Sequence, residues 1–149
     1  MPTNDLARAD DPVIRPARPA DAEAIFGLVE QFATSYRPER AAFDRHFPLL
    51  LRADHVDLLV AEVGGRVVGH AVAFRLLTLF ANGIVVELQE LMVAPDRRGE
   101  GIGSRLVEAV TERGRSAGAV EVTVPTRRAR DFYLRLGFEE TATYLKRTF

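Results

Sequence analysis

Apolar residues recur along the chain with two different periods, and the change of period marks its elements. Ile25, Leu28, Val29 and Phe32 fall at i, i+3, i+4 and i+7, the stripe of an amphipathic helix. Pro19-Ala20-Asp21 opens it, with Asp21 as the expected N-cap. Phe43, Phe47 and Leu50 repeat the helical spacing more weakly, and Pro48 is expected to kink or restart that helix. The middle of the chain reads differently. Residues 57–63 and 66–76 are β-branched and apolar runs joined by Gly64-Gly65, a two-residue hairpin signal. After Ala81-Asn82-Gly83, residues 84–93 make another long strand, ended by Pro95-Asp96.

Residues 101–117 return to the helical period. Ile102, Leu106, Val107 and Val110 mark the buried side, Arg105, Glu108, Glu112 and Arg115 the wet one, and Gly118 terminates the helix. A short strand over 120–124, a last helix over 126–136 and one or two closing strands over 137–148 complete the pattern. With a first strand at Val13-Ile14-Arg15, the order βααβββαβαβ(β) predicts an α/β domain built on a mixed sheet. Residues 1–11 have almost nothing to bury and read as a disordered tail before one domain over 12–149.

Composition narrows the chemistry. The 149 residues suit a single domain, and the mix of 47% hydrophobic and 28% charged residues is that of an ordinary globular protein. A formal net charge of -1 gives no global pull towards nucleic acid or an anionic membrane, so neither is expected as a partner. The absence of cysteine excludes a disulfide framework, a thiolate nucleophile and Cys-ligated zinc. The three histidines, His46, His55 and His70, show no metal-site spacing, so no metal is expected. The polar, acidic start is no signal peptide, and no apolar run approaches the roughly 20 residues of a membrane helix. A cytoplasmic protein is the expectation.

The chemically informative segment is Arg98-Gly99-Glu100-Gly101-Ile102-Gly103-Ser104, between a strand end and a helix start. Three glycines at alternate positions let the backbone approach a ligand in conformations other residues avoid. The first helical N–H groups lack internal partners, and the helix dipole places partial positive charge there, which suits a pyrophosphate. Arg97 and Arg98 are positioned to add charge-assisted contacts. No lysine follows in the Walker pattern. The dinucleotide fingerprint also fails, because the sixth residue is Ser104 or Leu106 in its two frames. A tight turn that binds nothing stands as the alternative.

Residues 91–103, Leu-Met-Val-Ala-Pro-Asp-Arg-Arg-Gly-Glu-Gly-Ile-Gly, resemble the signature of the GNAT superfamily of N-acetyltransferases, with Arg98, Gly101 and Gly103 meeting its Arg/Gln-x-x-Gly-x-Gly/Ala core. Residues 129–138, Ala-Arg-Asp-Phe-Tyr-Leu-Arg-Leu-Gly-Phe, are similar to the family's second signature, in the right order and at normal spacing. The resemblance implies a mostly antiparallel mixed sheet of six to seven strands with about four helices, the fourth and fifth strands splayed around acetyl-CoA. It implies that the main chain of Leu91, Met92 and Val93 pairs with the pantetheine arm. The pyrophosphate is then expected on Arg97, Arg98, Gly99, Glu100, Gly101, Ile102, Gly103 and Ser104. Ala129 and Phe132 are expected on the cofactor side, as is Thr126, which replaces the asparagine many members carry.

The same resemblance assigns Tyr133 as the acid that protonates the departing thiolate; a core aromatic is the alternative, since Phe132, Leu136 and Phe138 surround it. The acceptor needs a base, because presenting an alkylamine of pKa about 10.4 neutral at pH 7 costs about 4.6 kcal/mol. Glu87 and Glu90 are the candidates, against the alternative of salt-bridged strand carboxylates. Three residues apart, they face opposite sides of a regular strand, unless a bulge intervenes. The resemblance also implies that Tyr36, Phe43, Phe47, Leu79 and Phe80 line the acceptor mouth, with core packing as the equal alternative, and that Asp57 adds to its acidity with Glu87 and Glu90, while His70 reads as a core or cleft-wall residue. Arg127, Arg128, Arg130 and Arg135 reach the cofactor's 3′-phosphate end or form a wet helix face. The implied activity is acetyl transfer to the primary amine of a small molecule such as a polyamine, amino acid or aminoglycoside. Action on a protein lysine or N-terminus, or silent acyl-CoA binding, are the rivals, and a homodimer is common among relatives.

Overall fold

The structure, a computed structural model, describes Arg8 and residues 10–33 and 35–149. The expected tail over 1–11 therefore lies outside the described residues, apart from a turn in which the Asp11 amide donates to the Arg8 carbonyl at 2.9 Å.

Five strands form one sheet in sequence order: β1 (Val13–Pro16), β2 (Val56–Val63), β3 (Arg66–Thr78), β4 (Gly83–Val93) and β5 (Glu121–Thr123). Every neighbouring pair is antiparallel except β4 and β5, which run parallel. Chain order explains this. Tight hairpins link β2 to β3 to β4, whereas β4 reaches β5 through a helix, as a parallel crossover requires. Gly64 and Gly65, both at positive φ, close the predicted hairpin.

Helices α1 (Ala22–Phe32) and α2 (Arg40–Arg52) pack on one face of the sheet. Their Ile25 and Phe47 meet Val56, Leu58, Val60 and Val72, the alternate residues of β2 and β3 that point that way. Helix α3 (Ile102–Ser116) covers the other face, burying Ile102, Leu106, Val107 and Val110 against Leu59, Ala61, Ala71, Ala73, Val86 and Leu88. Contact there is close: a Cβ on Gly114 would stand 2.8 Å from Val86 Cγ2. The short α4 (Arg130–Arg135) carries Tyr133 into the same cluster.

Several expectations change. Asp21 ends a 3-10 turn over Pro19–Asp21, and although it is the N-cap residue of α1 its side chain makes no capping bond to that helix. It accepts both terminal nitrogens of Arg15, at 2.8 and 2.9 Å, and the Arg18 amide at 2.7 Å, clamping β1 to α1. Helix α2 runs through Pro48 unbroken, forgoing one intrahelical donor. The last helix starts at Arg130, after a turn capped by Thr126. The sheet has five strands among the described residues in place of six to seven. Residues 137–149 join no ladder and 139–149 are exposed, so the β-prone Tyr144, Leu145 and Phe149 have no partner strand or buried face to pack on.

Candidate active site

The ladder between β4 and β5 is short, pairing only Val85, Val86 and Glu87 with Glu121, Val122 and Thr123. Beyond Glu87, no strand among the described residues pairs with that edge of β4. The strands thus part at Glu87, and main-chain groups of residues 88–93 on that side stay open. This is the implied splay, and the predicted Leu91, Met92 and Val93 lie along it. One group is occupied: Arg98 Nε donates to the Val93 carbonyl at 3.2 Å.

A bulge decides where the carboxylates point. Val72 of β3 pairs with Glu90, but the next residue, Ala73, pairs with Leu88, so Gln89 is the extra residue on β4. Glu87 sits opposite Phe74 and Glu90 opposite Val72, two positions on the same face of β3. Glu87 and Glu90 therefore share the α1/α2 face and line one open cleft of about 570 Å³ with Phe32, Phe74, Leu76 and Gln89. Their surroundings differ. Glu87 Oε1 accepts from Gln89 Nε2 at 2.5 Å and from the Tyr144 hydroxyl at 3.4 Å. Glu90 has no such donor among the described residues; the His70 ring stands near it, with Nε2 3.9 Å from Oε1.

Tyr133 lies on the other face of the sheet, 6% exposed, its ring edge-on to Phe132 and Phe138 at 4.9 and 5.4 Å. Burial pushes its phenol up to about 12 from the usual value near 10, so the hydroxyl keeps its proton at neutral pH. It does not line the cleft of the glutamates, since β4 stands between them.

The turn before α3 is open. Gly99 and Gly101 both take φ +80°, with nothing within 4 Å of where a Cβ would stand; conformation, not crowding, selects glycine there. Gly101 is the N-cap of α3, and the first bond in that helix runs from Arg105 N to Gly101 O at 3.1 Å. The amides of Ile102, Gly103 and Ser104 thus have no intrahelical acceptor, and the helix dipole adds positive potential. The Ile102 side chain is buried in the core, leaving its amide as its contribution to any ligand. Gly103 admits Phe132, whose ring lies 3.4 Å from the Cβ position. The two signatures meet at that contact.

The arginines are more occupied than their sequence suggests. Arg98 is turned back to β4, and Arg97 Nε lies 3.3 Å from Glu100 Oε2 without hydrogen-bonding alignment. Arg127, Arg128, Arg130 and Arg135 are exposed, and Arg130 pairs with Glu140 and Asp131. The Thr126 hydroxyl accepts from the Ala129 amide at 3.1 Å.

Of the expected mouth residues, Phe43 and Phe47 line a second cavity, described below, whereas Leu79 and Phe80 stand at the β3–β4 hairpin tip, nearly fully exposed and lining neither space. Tyr36 also lines neither; Lys146 Nζ lies 5.6 Å from its ring centroid. Asp57 adds nothing to the mouth's acidity. It points to the α3 face and is enclosed by Arg75, at 2.7 Å, and Arg113, at 2.9 Å. Gln89 is the residue whose importance sequence reasoning missed, whereas His70 is buried and lines the second cavity, in line with its reading as a core or cleft-wall residue.

A model of the acetyltransferase (GNAT) family matches residues 22–138, and the chain belongs to that family. It is 35% identical over 128 residues to an uncharacterized N-acetyltransferase of Archaeoglobus fulgidus, covering 78% of this chain and 87% of that one. To the aminoalkylphosphonate N-acetyltransferase of Salmonella typhimurium it is 30% identical, with 86% and 85% covered. Among solved structures, aminoglycoside N-acetyltransferase AAC(6')-Iy in complex with CoA superposes with a TM-score of 0.84 at 25% identity, covering 96% of this chain and 97% of that one. The protein is an N-acetyltransferase.

Proposed function

We propose that the protein transfers the acetyl group of acetyl-CoA to the primary amine of a small molecule, by direct attack of the amine nitrogen on the thioester carbon. The bulge at Gln89 carries this reading. It sets two carboxylates on the α1/α2 face of β4, and Tyr133 belongs to the core cluster on the other face. Acetyl transfer needs a base for the amine and an acid for the departing sulfur, and Glu87 or Glu90 and Tyr133 are the candidates for the two tasks.

The residues present fit the donor. Open main-chain groups at Leu91–Val93 suit the amides of the pantetheine arm, and the unpaired amides of Ile102, Gly103 and Ser104 suit a diphosphate. Arg97 and Arg98 must leave Glu100 and Val93 to reach an anion, so main-chain amides form the primary cradle. Glu90 is favoured as the base over Glu87, whose acceptor oxygen already holds the Gln89 amide and the Tyr144 hydroxyl. A carboxylate at this position takes the ammonium proton directly or through one water. The neutral amine nitrogen bonds to the acetyl carbon, and the carbon–sulfur bond breaks as the Tyr133 proton goes to the sulfur. The second proton that the nitrogen sheds in becoming an amide restores the Tyr133 phenol through solvent, while the carboxylate releases the first to water.

A panel of amines and peptides read by free-thiol release tests this. Turnover on small primary amines above that on peptide N-termini or lysines is expected; activity on peptides alone overturns the small-molecule assignment. Within the active pairs, Glu90→Gln lowers kcat/KM by about 100-fold at pH 7 and Glu87→Gln by less. The Glu90→Gln deficit narrows as pH rises, because the free amine fraction grows and needs no base. Equal, pH-independent losses in the two variants would remove Glu90 from its role.

A further inference from the structure

Beside the cleft lies a second, half-open cavity of about 220 Å³, lined by α1, α2 and the sheet. Its walls are apolar: Ile25, Val29, Phe43, Phe47, Leu58 and Val72. Polar side chains enter at two levels. Glu39 and His46 stand near its α2 side, and Glu90 and His70 belong to the sheet. Glu90 also lines the open cleft, so the two spaces share a wall at the carboxylate favoured as the base.

His70 is the unexplained element. It is 0% exposed, and neither ring nitrogen has a hydrogen-bond partner among the described residues. A buried histidine kept for packing alone ordinarily finds at least one acceptor or donor, because an unpaired buried polar group costs about 1–3 kcal/mol. Glu90, at 3.9 Å, is too far to satisfy it directly. An apolar side chain would fill the same volume without that cost. His70 is also among the residues lining the cavity, and since both ring nitrogens are covered in this structure, a partner there reaches them only by a small shift of the wall.

The geometry points to this cavity as the subsite for the non-reacting part of the acceptor: it takes an apolar arm of the amine, and one polar atom on that arm meets the His70 ring. The inference rests on the transferase reading above and narrows its substrate class to primary amines with an aromatic or branched aliphatic substituent bearing a single hydroxyl or carbonyl. The volume sets the length. Taking a water's share of about 30 Å³ as the space per non-hydrogen atom, the cavity holds about seven such atoms, the size of a phenol. The walls set the character. An arm studded with hydroxyls, or ending in a second ammonium, would lose hydration here without recovering it.

Two measurements test the subsite, one independent of turnover. In the first, 4-ethylphenol, an arm without an amine, is titrated into the full chain and followed by NMR on the His70 ring and the Val72 methyl groups. Saturable shifts are expected, lost in Ala42→Phe, which fills the cavity from α2, and weakened about 10-fold in His70→Leu. No saturable shift in the wild-type protein overturns the subsite. In the second, kcat/KM is compared for 2-(4-hydroxyphenyl)ethylamine, 2-phenylethylamine and ethylamine. The aryl amines are expected to exceed ethylamine by at least about 30-fold, a ratio that falls towards one in Ala42→Phe, and only the hydroxyl preference is lost in His70→Leu. Equal values for all three overturn the subsite and leave the transferase reading standing. Saturable 4-ethylphenol binding with turnover on peptides alone would instead sink the small-molecule assignment while the cavity still binds.

Discussion

At Tyr133 the proposed proton donor is also a core side chain. Its ring is packed between Phe132 and Phe138, and the same burial that holds it raises its phenol to about 12. A proton donor to a thiolate must be protonated beforehand, and burial ensures that. Tyr133→Phe is expected to lower kcat by about 100-fold while leaving the dissociation constant of acetyl-CoA within about twofold, measured by stopped thiol release and calorimetry. An unchanged kcat would return Tyr133 to the core alone. Asp21 shows the opposite titration. The Arg15 guanidinium holds its carboxyl below the usual range, with the Arg18 amide assisting. A folded-state value depressed below the unfolded one gives stability that is present above the unfolded value, near 4, and lost as pH falls through the folded one. Asp21→Asn is therefore expected to cost about 2 kcal/mol at pH 7 in urea unfolding, and the gap from wild type should close as pH falls below about 4. A gap independent of pH would mean that packing, not charge, accounts for the loss.

Elements depend on how closely their backbones approach. Helix α3 crosses β4 at Gly114, where a Cβ would meet Val86 Cγ2 at 2.8 Å, and Val86 is itself fully buried. Gly114→Ala improves intrinsic helix propensity by about 1 kcal/mol, yet the overlap must push α3 off the strand. Net destabilisation of about 1–2 kcal/mol is expected in denaturant titration, and a more stable variant would show that the helix seats loosely. Such contacts explain what the sequence could and could not disclose. The period of Ile102, Leu106, Val107 and Val110 located α3 within a residue at each end, because one covered face leaves a clean stripe. Gly64-Gly65 located the hairpin, because both positions need positive φ. The bulge at Gln89 left no such trace. It arises from the pairing of β3 with β4, and no residue type on either strand demands it. For the same reason the shared face of Glu87 and Glu90 was undecidable from their spacing, and the closing strands over 137–148 were overestimated: β propensity without a partner edge builds no ladder. The orientation of Asp57 followed from its partners on two other elements, Arg75 and Arg113, which local patterning does not contain.

Across the whole molecule, the proposed donor cradle and the proposed acceptor spaces lie on different elements around one strand. The cradle belongs to the open edge of β4 and the start of α3; the cleft and the second cavity belong to the α1/α2 face. Binding of acetyl-CoA would therefore bridge β4, the 98–104 turn and α4, three segments that a partly unfolded chain does not hold together. A ligand that binds only the folded state stabilises it by about 2.7 kcal/mol at a hundredfold excess over its dissociation constant. For a domain of this size about 2–4 °C accompanies each kcal/mol, so a rise in Tm of roughly 5–10 °C is expected in scanning calorimetry. Gly101→Ala separates this cradle from adventitious binding. Its left-handed backbone disfavours a Cβ by about 1–2 kcal/mol, and relaxation of the turn would re-aim the amides of Ile102 and Gly103. The variant is expected to unfold at lower temperature alone and to gain less than half the wild-type increment from acetyl-CoA. An increment equal to wild type would place the diphosphate elsewhere, and no increment in either protein would remove the donor from this edge of the sheet.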